Sequence, residues 1–126
     1  MKNARLFDGV DDSGQPFFRA DHPLIEDASQ RHQIVGFLRG GTIIFGTNGR
    51  DLDRLEPSKG RVVPLTYHTD GEWIWSGGLS YYVDAYGIAP QADFLDHMRQ
   101  RSYVADVPDA NTSVEALNEL EASWAR

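Results

Sequence analysis

Arg61-Val62-Val63-Pro64-Leu65-Thr66-Tyr67-His68-Thr69-Asp70-Gly71-Glu72-Trp73-Ile74-Trp75 decides the fold of this chain. β-Branched and aromatic residues fill both arms, and Asp70-Gly71 between them is the residue pair that a type I′ hairpin turn requires. The stretch reads as two antiparallel strands, 61–69 and 72–75. Pro64 has no N–H to give to a ladder, which places an edge or a bulge there. Trp73 and Trp75 are two apart and share a face, with Ile74 on the other. A strand with large apolar side chains on both faces is covered on both, so other elements must pack above and below it.

Downstream the period changes from two to helical. Ser76 is a good N-cap, and Leu79, Tyr82, Val83 and Tyr86 follow at i, i+3, i+4 and i+7. Gly87 fits a left-handed stop, with Ile88 folding back on the last turn. Pro90 restarts a second helix with the stripe Phe94, Leu95 and Met98, and the short link predicts that the two helices pack as an antiparallel pair. Val104 to Pro108 is a loop. Thr112 and Glu115 make a capping-box pair for a final amphipathic helix over 113–125, marked by Val114, Leu117, Leu120 and Trp124.

Upstream the signals are weaker. Residues 4–8 and 16–20 read as short strands joined by the turn Val10-Asp11-Asp12-Ser13-Gly14. Asp21-His22-Pro23 reads as the start of a short helix ending near Gln30. Ile34-Val35-Gly36-Phe37-Leu38 and Thr42-Ile43-Ile44-Phe45 flank Arg39-Gly40-Gly41. That reads as a hairpin about a Gly-Gly turn, or, for 33–39, as a helix with Gly40 as its stop; periodicity leaves both open. Thr47-Asn48-Gly49-Arg50 ends the second arm, 51–57 is a polar connection closed by Pro57, and Ser58-Lys59-Gly60 is a turn. The whole is a single α+β domain, 1–126, with an antiparallel sheet of hairpins and helices concentrated in the C-terminal half.

Hydrophobic residues at 40% and aromatics at 11% are enough for a packed core. Twelve basic against nineteen acidic side chains give a net charge of −7. That disfavours nucleic acid, which needs a basic face, and an anionic membrane surface. It favours a cationic partner or plain solubility. There is no cysteine, so thiolate catalysis, disulfides and cysteine-ligated metal are excluded. No apolar run follows Lys2 and none elsewhere is long enough to span a bilayer, so neither a signal peptide nor a membrane helix is expected, and a cytoplasmic location is.

No motif spells out a reaction. His22, His32, His68 and His97 show no metal-ligand spacing; Asp21-His22 and Asp96-His97 are sequence neighbours, which points them apart. His68 and Asp70, two apart near a turn with Glu72 beside them, outline a carboxylate-held general base or a metal site. Turns also collect Asp, Gly and His for conformational reasons, and a solvated hairpin tip explains these residues. Ser76 is a cap, not a nucleophile, and Gly40-Gly41-Thr42 and Gly46-Thr47-Asn48-Gly49 lack a phosphate-loop pattern. No residue is assigned a catalytic, cofactor-binding or metal-ligating role. What stands out is a concentration of aromatics beside acids: two of three tryptophans and three of five tyrosines fall within 69–86, the hairpin turn, its second strand and the helix that follows. Such a cluster is a core anchor or a binding face. Tyr81 lies off the helical stripe and is the best candidate for an exposed ring. Asp70, Glu72, Trp73, Trp75 and Tyr81 are the expected partner contacts.

The set Gln33-Ile34-Val35 through Gly41-Thr42, Asp53, Pro57, Val63-Pro64, Thr69 to Trp75, Tyr81-Tyr82, Gly87 and Ala89-Pro90 resembles a group of small actinobacterial proteins of uncharacterised role, over roughly residues 33–103. The resemblance implies a small acidic cytoplasmic protein similar to the immunity proteins that neutralise secreted polymorphic toxins by plugging their active sites. It implies no catalytic residues. The leading expectation is therefore a non-enzymatic acidic binding protein, immunity- or antitoxin-like, whose partner is a toxin with a basic cleft. The alternatives are a small hydrolase or isomerase using His68, Asp70 and Glu72, and a structural subunit that docks its final helix on a second copy.

Overall fold

The structure, a computed structural model, describes residues 1–125. The central hairpin forms as expected: β5 (Arg61–Thr69) turns into β6 (Trp73–Ser76), with Tyr67 opposite Ser76 and His68 opposite Trp75. The turn itself differs from the type I′ expectation. Gly71 has φ +97°, but Asp70 is not left-handed. Side chains build the turn instead. Asp70 Oδ1 accepts the amides of Glu72 and Trp73 at 3.0 and 2.9 Å. Thr69 Oγ1 accepts the Gly71 amide and donates to the Trp73 carbonyl.

On the far side of β5 lies β4 (Thr42–Leu52), antiparallel, with register irregularities around Ile44 and between Gly46 and Arg50. It runs to Leu52, two residues past the expected end at Thr47–Arg50. Pro64 sits opposite Arg50, beside that irregularity and beyond the reach of β6, as a residue without an N–H should. On the near side, β1 (Lys2–Asn3) adds one short parallel pairing to β6, giving the order β1-β6-β5-β4. An N-terminal hairpin forms outside the main sheet, but its first arm is not 4–8: β2 (Gly9–Val10) follows that stretch and takes in Val10 of the expected turn, and it pairs with β3 (Pro16–Phe17), inside the expected 16–20.

The segment 33–39 is helical. The helix α1 (Ala28–Gly40) starts at Asp27, whose carboxylate accepts the Ser29 and Gln30 amides, not at Asp21. Ile34, Val35, Phe37 and Leu38 form its buried face. The Gly40-Gly41 pair is no hairpin turn: Gly40 ends the helix, and Gly41 serves packing, since a Cβ there would stand 2.2 Å from the Trp75 ring. Trp75 Nε1 also donates to the Leu38 carbonyl at 3.0 Å, satisfying an orphan acceptor at the helix end.

The helix α2 (Gly77–Tyr86) is capped by Ser76 and stopped by Gly87 at φ +74°, both as expected. It packs on α1 and β5. The helix α3 (Ala92–Gln100) does not pair with α2 in the expected antiparallel manner, because Phe94 draws it into a ring cluster with Phe37, Trp73 and Trp75. The last helix, α4 (Ala110–Trp124), begins earlier than the capping box suggested, since Asp109 accepts the Thr112 amide. Ile74 meets Ala116 and Leu120 of α4 on the opposite face from the two tryptophans. The sheet is thus covered by α1, α2 and α3 on one side and by α4 on the other, the two-sided burial that the Trp-Ile-Trp pattern demanded.

Candidate functional site

Asp70 is buried, and its second carboxylate oxygen faces α3. Oδ2 accepts a hydrogen bond from His97 Nε2 at 2.5 Å. His97 reaches this point because Phe94, His97 and Met98 fall on one helical face, so the imidazole lies on the buried stripe among the Phe37, Trp73 and Phe94 rings. Its other nitrogen, Nδ1, is 3.5 Å from Glu72 Oε2. Glu72, exposed, also pairs with Arg101, which in turn reaches Asp106 at 3.1 Å. A groove of about 410 Å³ opens beside this network, lined by Lys2, Glu72, Trp73, Asp93, His97 and Gln100. Lys2 Nζ lies 5.4 Å above the Trp73 ring.

Both His97 nitrogens face carboxylates, and both Asp70 oxygens are engaged. The arrangement ties α3 to the β5–β6 turn, with His97 itself among the residues that line the groove. The expected grouping of His68 with Asp70 and Glu72 does not form. His68 is buried, not at a solvated tip, and lies flat against Trp75 with ring centroids 6.2 Å apart. Its Nδ1–H donates to the Gly41 carbonyl at 3.2 Å, which leaves Nε2 to accept the Thr66 hydroxyl at 3.0 Å. Burial pushes its pKa below the usual 6.5, against a smaller opposing effect of the Gly41 carbonyl.

Tyr81 is not a free ring. Its hydroxyl and that of Tyr86 both donate to Asp53 Oδ2 at 2.6 Å. Asp53 is fully buried, and its other oxygen accepts the Leu55 and Glu56 amides. Burial pushes the carboxyl up, but the two hydroxyls and two amides outweigh it and hold it below its usual value. Both tyrosines are raised, by burial first and then by that hydrogen bond. The neighbouring Tyr82 hydroxyl accepts the Arg54 amide at 2.9 Å. This knot fastens the β4–β5 connection to α2.

Of the five expected contacts, Glu72 alone is exposed. Trp73 and Trp75 are 3% and 1% exposed and belong to the core, Asp70 is buried beneath the turn, and Tyr81 is half-buried on Asp53. Sequence adjacency of Asp96 and His97 gives no hint of the Asp70 contact; the i, i+3 spacing of His97 from Phe94 is the signal that places it on the buried stripe.

The outward-facing surface lies elsewhere. On α4, Glu115, Glu119 and Glu121 are exposed and join no ion pair among the described residues. The helix contains no Lys, Arg or His. A shallow groove of about 390 Å³ runs past Glu115, Asn118, Glu119 and Ala122. At the helix end Trp124, 48% exposed, meets Phe45 and Tyr67 edge-on at 5.1 and 5.6 Å. The chain matches no family model, and no curated protein and no solved structure is similar to it.

Proposed function

We propose that this chain is a non-enzymatic acidic binding protein that covers a basic site on a partner protein, in the manner of an immunity or antitoxin protein. The observation that carries the reading is α4, whose exposed Glu115, Glu119 and Glu121 stand without a basic residue on the same helix. Glu115 and Glu119 are one turn apart, a like-charge pair that costs a helix a few tenths of a kcal/mol. A basic partner converts that repulsion into attraction and is drawn to it over a Debye length.

The internal polar groups support the reading from the other direction. Asp53, Asp70 and His68 have their polar atoms engaged by partners within the chain, and His97 is held to Asp70, so these side chains hold the fold together. The resemblance to immunity proteins points the same way, and a cytoplasmic location suits it. Among the described residues no helix is long and apolar enough to cross a membrane.

The test uses the immobilised protein to capture partners from its host, followed by titration of each captured protein at low and high salt. The expected partner is basic and binds at least about tenfold more weakly at high salt, and the Glu115→Gln, Glu119→Gln, Glu121→Gln triple variant binds it weakly with a flattened salt slope. Equal binding by wild type and variant at both salt levels overturns the proposal.

A further inference from the structure

The sheet ends at β4. One edge of this strand is paired with β5, and the other has no strand beside it among the described residues. The run Thr42-Ile43-Ile44-Phe45-Gly46-Thr47 holds no charge and no proline, two of the devices that blunt an edge, although a third, a register irregularity, falls at Ile44. Ile43 is 62% exposed, and Phe45 lies against the exposed Trp124. An unpaired row of backbone donors and acceptors therefore borders an apolar seat, beneath a helix that carries only negative charge.

We propose that the open edge of β4 takes an extended segment of a basic partner protein as an added strand, with α4 supplying the attraction and the Phe45–Trp124 pair the apolar contact. The inference rests on the basic-partner reading above and says where that partner docks. Added strands gain main-chain hydrogen bonds along the edge and specificity from alternate side chains. The irregularities near Ile44 and beyond Gly46 limit the straight run, so the inserted segment is short, about four to six residues. Charge decides against a second copy as the occupant. Two β4 edges paired antiparallel are related by a two-fold axis normal to the sheet, which sets both α4 helices on the same face. Each carries three glutamates and no basic residue, on chains of net charge −7.

The probes are a short peptide of alternating Lys and Val, its Glu/Val counterpart, and a Lys/Val peptide with proline at alternate positions. Trp124 fluorescence reports binding, because Trp73 and Trp75 are buried. Amide hydrogen exchange reports whether β4 gains a neighbour. The expected result is binding of the Lys/Val peptide alone, with slowed exchange in β4. Ile43→Lys with Thr47→Lys, both at exposed positions, weakens it by about tenfold or more, and the α4 glutamine variant weakens it and flattens its salt dependence. If the Lys/Val and proline peptides bind alike, β4 exchange is unchanged and only the α4 variant matters, strand addition is overturned while the acidic-binder reading stands. If the Glu/Val peptide binds as well as the Lys/Val peptide, the acidic-binder reading fails. Concentration-dependent dimerisation that Ile43→Lys abolishes makes a second copy the occupant and also overturns the proposal.

Discussion

The two sides of the sheet put the same kinds of residue to opposite uses. On the β6 side, carboxylate and aromatic rings turn inward: Asp70 is bonded to two amides and His97, and Trp73 and Trp75 stack into the α1 and α3 rings. On the β4 side they turn outward: Glu115, Glu119 and Glu121 face solvent, and Trp124 and Phe45 share a half-exposed contact. The difference lies in what sits above each region. Three helices cover the tryptophan face, whereas α4 alone covers the other and leaves the β4 edge open. A residue type is therefore a guide to chemistry, and coverage sets whether that chemistry serves stability or recognition.

The contrast breaks most visibly under truncation. Trp75→Ala and Asp70→Ala should each destabilise the fold by about 3–5 kcal/mol in chemical denaturation, the first by opening a cavity, the second by stranding His97 and two turn amides. Trp124→Ala should fall well below that range. Equal losses at Trp75 and Trp124 would erase the distinction between the two sides.

Gly41→Ala comes next. Its Cβ would collide with Trp75, and overpacking of this kind costs about 1–3 kcal/mol, while Gly49→Ala at the exposed end of β4 should cost less. Thermal melts of the two variants make the comparison.

His68 supplies a pH-dependent test. Its folded pKa lies below 6.5, so as pH falls through that value the unfolded chain takes up a proton that the folded ring resists. The unfolded state then binds more protons, and the contribution of His68 to stability declines with falling pH below about 6.5. The melting temperature of wild type should drop from neutral pH toward pH about 5 more steeply than that of His68→Gln. A steeper drop in the variant would contradict the buried, neutral imidazole.

The smallest effect is expected on α4. Glu119→Gln should change stability by no more than about 0.5 kcal/mol and should, if anything, raise it by relieving Glu115. A large loss would mean that α4 needs its charge for folding, which would remove the case for a recognition surface.

How far these features could be read in advance follows from their range. The 61–76 hairpin, the Ser76 cap and the Gly87 stop rest on neighbours a few residues apart, and all three are found. The 28–40 helix is ambiguous in sequence because its apolar run is short and runs into two glycines; the reason for the second, Gly41, is Trp75, more than thirty residues away. The type I′ turn failed for a local reason, since the Asp70 and Thr69 side chains rebuilt the loop with their own hydrogen bonds. The aromatic-acid concentration was visible, but its orientation was not. Alternation placed Trp73 and Trp75 on one face and Ile74 on the other without saying which neighbours each would meet.

Chemistry and period are properties of short stretches, so the chain alone was enough for its α+β class, its acidity, its lack of thiols and the two-sided burial of Trp73-Ile74-Trp75. Pairings between distant segments needed the folded molecule: Asp70 with His97, Tyr81 with Asp53, Trp75 against Gly41, and an edge of β4 left bare. Which side chains meet across dozens of residues is set by how helices pack on a sheet, and no local pattern encodes that packing.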